Sequence, residues 1–238
     1  MSLFTNSSCG IFPTLSANYP IANYPLAALC LDYKMTLGRF GIESSLYNGK
    51  GYNGWSKGKH PFTFNPRKDG VFSITEINYQ TEYGKCFGGF SLHTNGDMPD
   101  VAGEWKTRER EKKVSPKMTF AWWGYAERKL WSRVRQEVNL LVQYTRTSSV
   151  FSECRNYMGA GVTWIYVPGG QKRHEAGLFL SAAQFKSCNE VAGEVTYRYS
   201  FNRDTYIQAA IHLIKNGGVL HEVFLIRMGY ILNGGRVR

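Results

Sequence analysis

The sequence predicts an all-β fold, an antiparallel meander of about eleven strands. Two observations carry this. Apolar and polar residues alternate with a period of two in segment after segment, as a strand with one apolar and one polar face requires. No convincing long amphipathic helix is present, and 126–136 (AERKLWSRVRQ), the one helical-looking stretch, has charges on every side.

In chain order, alternating segments are read near 26–36, 38–47, 71–82, 86–94, 117–127, 138–145, 158–166, 175–182, 191–201, 206–213 and 221–232. The segment 191–201 is the clearest. Val191, Val195, Tyr197, Tyr199 and Phe201 fall on one face, and Glu194, Thr196, Arg198 and Ser200 on the other. After the break Asn202–Asp204, Ile207, Ala209, Ile211 and Leu213 oppose Tyr206, Gln208, Ala210 and His212. In the last segment Phe224, Ile226, Met228, Tyr230 and Leu232 oppose His221, Val223, Leu225, Arg227 and Gly229. The connections are of two kinds. Those at 167–172, 202–204 and 214–218 are short, whereas 48–70 and 95–116 are long and charged or glycine-rich. One functional rim opposite a plain one produces that contrast. No domain boundary is visible, so the 238 residues form a single domain.

Composition excludes several classes. Apolar residues make up 43% of the chain and aromatic ones 15%, too many for a disordered chain. No apolar run is long enough for a membrane-spanning helix, which leaves a membrane β-barrel open. Cys9, Cys30, Cys86, Cys154 and Cys188 are scattered, without the spacing of a zinc site or a disulfide framework. The five histidines never meet Cys or carboxylates at ligand spacing, and no nucleophile–base arrangement is apparent, so neither a cofactor nor an enzymatic activity is expected. Gly49–Gly54 (GKGYNG) fits a dinucleotide fingerprint in letters alone, since no helix follows it.

Alternation by itself is compatible with a soluble sandwich or barrel and with a membrane barrel, in which the apolar face meets lipid and the polar face lines water. Three features favour the membrane barrel. Trp164, Tyr166, Tyr199, Phe201 and Tyr230 sit near strand ends on the apolar face, where interfacial girdles belong. Glu76, Glu194, Arg198 and Arg227 lie mid-strand on the polar face, where a dry core would penalise them. The strands, at about ten to twelve residues, are long enough to cross a bilayer when tilted.

The stretch Asn6–Leu31 (NSSCGIFPTLSANYPIANYPLAALCL) resembles a signature of the OprB-like carbohydrate-selective porins. Phe40–Gly54 (FGIESSLYNGKGYNG) is similar to that family's strand leading into a glycine-rich loop, and Gly70–Tyr79 (GVFSITEINY) to its GxFxxxEhxY strand. Ala121–Trp131 (AWWGYAERKLW) resembles its YxxADQxLW segment, with Glu127–Arg128 in place of Asp-Gln, and 190–232 resembles its closing strands. The resemblance implies a transmembrane outer-membrane β-barrel passing carbohydrates and other small solutes by passive diffusion. Members of that family are longer, with about sixteen strands and an export signal. The opening MSLFTNSSCG shows no such signal, and an odd strand count cannot close an ordinary antiparallel barrel. The chain is therefore expected to correspond to the C-terminal portion of such a barrel.

Sugar passage needs polar groups that exchange hydrogen bonds with hydroxyls, and rings that stack on pyranose faces. By facing parity the pore-lining candidates are Glu76, Asn78, Glu194, Arg198, Gln208 and Arg227; from the family-like segment come Trp123, Tyr125, Glu127, Arg128 and Trp131. Charges of this kind also pair across strands and hold a barrel's shape. The net charge of +11 suits a cationic bore or loops that meet anionic lipopolysaccharide. A nucleic-acid partner is not expected, because Arg108–Lys113 is interrupted by Glu109 and Glu111 and reads as a solvated loop tip. The competing function is a soluble or periplasmic all-β carbohydrate-binding module, lectin- or lipocalin-like.

Overall fold

A period of two sends successive side chains to opposite faces, and hairpins then stack such strands edge to edge. The structure, a computed structural model, describes residues 3–5, 13–16, 18, 27–52, 62–94, 118–148 and 153–230. Its strands are β1 (Cys30–Leu37), β2 (Phe40–Asn48), β3 (Val71–Thr81), β4 (Gly84–His93), β5 (Thr119–Arg133), β6 (Gln136–Thr147), β7 (Cys154–Gly169), β8 (Lys172–Phe185), β9 (Asn189–Ser200), β10 (Thr205–Asn216) and β11 (Val219–Tyr230). Two single helical turns, α1 (Pro13–Ser16) and α2 (Pro66–Asp69), accompany them. The strands form one 11-stranded sheet in sequential order, each pair antiparallel.

The expected segments are all strands, with one difference. The helical-looking stretch 126–136 is the end of β5, the turn 134–135 and the start of β6. Its charges are tolerated because Glu127 and Lys129 face inward and pair with Lys85 and Glu137.

The polarity is inverted relative to a water-soluble sheet. On β9, Val195 is 56% exposed and Tyr197 44%, whereas Glu194 and Thr196 are each 1% exposed. Strand β10 repeats the pattern, with Ile207, Ile211 and Leu213 exposed and Gln208, Ala210 and His212 buried. On β11, Phe224, Ile226, Met228 and Tyr230 face outward. Among the described residues no large apolar core lies inside the sheet. The inner face instead carries small clusters, Phe4–Leu141–Phe179, Phe72–Ala121 and Cys154–Tyr157–Ala183, among polar side chains.

The connections sort onto two rims. One carries the tight turns 38–39, 82–83, 134–135 and 170–171 and the four-residue turn 201–204. The other carries the long connections 49–70 and 94–118, the shorter 148–153, and the turns 186–188 and 217–218. The last is closed by Gly217 (φ 56°) and Gly218 (φ 94°), a left-handed pair that matches the twist of its hairpin. The long loops thus share a rim, although 214–218, read from sequence as a plain turn, belongs to that rim too. The charged run Arg108–Lys113 lies outside the described residues.

The sheet is not closed. Among the described residues, strand β1 pairs only with β2, and β11 only with β10. Ten successive reversals leave β1 and β11 running in the same direction, so an all-antiparallel closure between them is geometrically impossible.

Candidate functional site

The concave face holds two groups of polar side chains and a segment of chain laid against them. The first group lies on β2 to β6. Lys34 pairs with Glu43 at 3.0 Å, and Glu43 stands opposite Glu76 in the β2–β3 register. The Trp123 indole donates to Glu76 across Gly89, which lies between them in the ladder. A Cβ on Gly89 would stand 2.4 Å from the indole, so glycine is what lets the ring lie flat over β4. Nearer the short-turn rim, Phe87 and Tyr125 stack with centroids 4.5 Å apart and planes 13° apart. The Tyr125 hydroxyl donates to Glu127 at 2.8 Å, and Lys85 reaches the same carboxylate at 3.2 Å. The two rings lie face to face, and Tyr125 also packs against the Phe4–Leu141–Phe179 cluster, so the pair sets an aromatic surface beside a donor and an acceptor, groups a pyranose ring can use.

The second group lies on β8 to β11. Glu175, nearly buried, accepts from Arg198 Nε at 2.6 Å and from Arg173 at 3.0 Å. Arg227 donates twice to Gln208 Oε1, at 3.0 and 2.8 Å. The Arg198 and Arg227 guanidiniums both lie over the Tyr206 ring, 5.4 and 5.8 Å from its centroid. The ring runs along the strand over Gly229, where a Cβ would meet it at 2.2 Å.

The segment Leu3–Thr5 rests on this second group. The Leu3 carbonyl accepts from Gln208 at 2.6 Å, and the Thr5 amide and hydroxyl donate to Glu194 at 2.8 and 3.0 Å. Thr5 also hydrogen-bonds His212 at 2.8 Å. Phe4 stacks on Phe179 at 5.2 Å, over Gly177, where any side chain would collide with it. Further along, the Thr14 hydroxyl bonds that of Thr145, and Asn18 clasps Cys154 through its amide (2.9 Å) and its carbonyl (2.7 Å). Leu3–Thr5 therefore occupies the middle of the concave face, and Thr14 and Asn18 lie against β6 and β7 nearer the long-loop rim.

The sequence-derived candidates divide accordingly. Glu76, Asn78, Trp123, Tyr125 and Glu127 share the concave face on β3 and β5. Glu194, Arg198, Gln208 and Arg227 share it on β9 to β11, but Glu194 and Gln208 are covered by the N-terminal segment and bind its backbone. Two candidates face the other way. Arg128 pairs with Leu140 on the outer face, as parity with Tyr125 and Glu127 requires. Trp131 would have faced inward by parity, but a bulge between Lys129 and Trp131 advances the register, so that Trp131 stands opposite Val138 on the outer face. Neither lines the concave face. Sequence reasoning missed Phe87 and Lys85, on a strand rich in glycine where alternation is faint. It also missed the inward packing of Leu3–Thr5, which carries no periodicity at all.

The outer face bears aromatic belts at two levels. At the short-turn rim Phe40 packs on Tyr79 (4.5 Å), Trp164 on Tyr166 (5.8 Å), His174 on Tyr199 (4.9 Å) and Tyr199 on Phe201 (4.8 Å), with Trp131 among them. At the long-loop rim Phe90 packs on Phe120 (6.2 Å) and Trp122 on Tyr144 (5.1 Å). Between them on β8, His174 to Gln184 spans roughly 33 Å along the strand, or about 25 Å of height at a tilt near 40°, the thickness of an outer-membrane apolar band.

The long-loop rim is anchored by a buried clasp. Asp69 accepts from the Tyr52 hydroxyl at 2.6 Å and from Asn48 at 3.1 Å, and His93 bonds the Gly49 carbonyl at 2.6 Å. Burial, and then the Asp69 carboxylate, push the Tyr52 phenol up to about 12 from 10.0. The folded chain holds the Tyr52 proton more tightly than the unfolded one. Its contribution is complete below pH 10 and lost as pH rises through about 12. Proteolytic nicking of the 49–70 loop is expected to increase over that interval in the parent and to be already elevated at neutral pH in Tyr52→Phe.

No family model matches the sequence, and no curated protein does. Solved structures match it. The chain superposes on a high-pH structure of OprB from Pseudomonas putida with a TM-score of 0.58 at 12% identity, covering 87% of this chain and 60% of that one. It superposes on OmpT, an outer membrane protein of Vibrio cholerae in its in-vitro folded trimer form, with a TM-score of 0.54 at 10% identity, covering 97% of this chain and 70% of that one. The chain thus spans about 60% of the length of the OprB chain. At these identities the likeness is one of fold, and the fold is that of an outer-membrane β-barrel with an unclosed meander.

Proposed function

We propose that this chain is part of a porin-type channel of the cell outer membrane, through which sugars and other small polar solutes diffuse passively. The inverted polarity of the sheet supports this reading above all else: apolar rows outside, hydrogen-bonded charges inside. A soluble carbohydrate-binding module would place Val195, Ile211 and Ile226 in a core, and all three are exposed. The stacked Phe87–Tyr125 pair with Lys85 and Glu127 is the proposed sugar track, joined by Glu76, Asn78 and Trp123. The resemblance to OprB-like porins points the same way. Arg198 and Arg227 act mainly as wall braces, and Leu3–Thr5 narrows the bore. The lipid partners are outer-membrane lipid and lipopolysaccharide. Closure requires an odd number of further strands between β11 and β1, because the two run in the same direction and each needs an antiparallel neighbour.

Fractionation and liposome swelling test the proposal. Recovery from outer-membrane fractions only with detergent is expected, together with swelling that is faster in monosaccharides than in larger oligosaccharides. Tyr125→Ala is expected to reduce the sugar rate and leave the rate for small ions within twofold. Free solubility in buffer, or equal swelling with and without the protein, would refute it.

A further inference from the structure

On the outer face, at the long-loop rim, β5 to β8 enclose a groove of about 410 Å³ lined by Phe120, Trp122, Arg146, Arg155, Asn156 and Gln184. Arg146 stands opposite Asn156 in the β6–β7 register, and Arg155 is the extra residue of a bulge between Cys154 and Asn156. Both arginines are exposed, and among the described residues neither makes an ion pair. Glu153, the nearest carboxylate in sequence, pairs with neither. Asn156 donates to Gln184 at 2.7 Å, which leaves its own Oδ1 buried and without a partner among the described residues. A buried acceptor of this kind calls for a donor beyond these side chains, which a bound headgroup can supply.

The position of the groove narrows the choice of occupant. It caps the apolar band, so the guanidiniums sit at headgroup height, on a sill made by Phe120 and Trp122. Exposed Val142, Met158, Leu178 and Leu180 descend from it toward mid-membrane. Two guanidiniums with no ion-pair partner among the described residues match phosphate oxygens by charge and by geometry. An apolar descent below them matches acyl chains. A second copy of the chain would bring arginines against arginines if it met the same groove, a repulsive contact.

We propose that this groove binds the phosphorylated headgroup of a membrane lipid, with its phosphate between Arg146 and Arg155, a hydroxyl or amide donating to Asn156 Oδ1, and its chains along Val142, Met158 and Leu180. The proposal rests on the outer face being lipid-facing. It does not depend on solute passage, so a chain that passes no sugar can still be tested.

The test is native mass spectrometry of the full chain in dodecylmaltoside, titrated with bis-phosphorylated lipid A. The parent is expected to retain the lipid, and Arg146→Gln/Arg155→Gln to need roughly ten times more for half-occupancy. Dephosphorylated lipid A should bind the parent as weakly as the phosphorylated lipid binds that variant. Arg67→Gln/Lys68→Gln, which removes the same charge on another loop, should leave occupancy unchanged. If the double variant loses its folded mobility on unheated gels, Arg155→Gln at the exposed bulge carries the test, with an expected threefold loss. Unchanged binding in the arginine variants, or an equal loss in the Arg67/Lys68 control, would overturn the proposal. So would inorganic phosphate binding as tightly as the lipid, or a parent dimer that dissociates in the arginine variant.

Discussion

Leu180→Arg is expected to destabilise the folded chain in lipid vesicles by about 2–4 kcal/mol, the cost of a cation at the midplane of an outer-membrane barrel. Leu180 is 57% exposed, with Leu178 at 51% beside it on β8 and Val195 at 56% on β9. In a water-soluble protein a leucine so exposed could be replaced by arginine within about 0.5 kcal/mol. The two environments therefore make opposite claims about one substitution. Urea titration of folding in vesicles, followed by tryptophan fluorescence, measures the difference. The cost should fall with depth, so Gln184→Arg at the edge of the band is expected to cost about 0–1 kcal/mol. Equal small costs at both depths would mean that the outer face meets water.

Arg198→Ala is expected to cost about 3–5 kcal/mol, because it strands a buried carboxylate. Glu175 is 5% exposed, and Arg198, itself 8% exposed, supplies two of its contacts, including one at 2.6 Å. Its remaining partner, Arg173, reaches one oxygen from a position that is largely solvated. The same substitution strips a cation from the face of Tyr206. Replacing both partners, as Glu175→Leu with Arg198→Met, should recover most of the loss, since a matched apolar pair avoids the desolvation of two ions. A double-mutant cycle in urea separates the pair from the individual side chains. Recovery to within about 1 kcal/mol of the parent identifies Glu175–Arg198 as a brace of the wall rather than a free charge in the solute path.

Strand number, order and facing were legible in the sequence because each depends on a local period. Val195 and Glu194 are adjacent, so a strand must send them to opposite faces whatever surrounds it. The same period placed Gln208, Arg227, Glu76 and Asn78 on one side of the sheet. It also required Arg128 to face away from Glu127, a consequence that similarity to a family segment obscured. Trp131 is a different case. Its facing turns on one bulged residue at Leu130, and a bulge changes register without leaving a pattern in the letters.

Composition and alternation alone determined an all-β chain with one apolar and one polar face, because backbone geometry converts spacing into facing. Which face is concave, and what fills that side, was decided only by tertiary structure. Curvature chooses the inside, and long-range contacts such as Thr5 to Glu194, 189 residues apart, leave no trace in any local window. The open edges of β1 and β11 belong to that second class as well, since pairing is a relation between distant strands and not a property of either one.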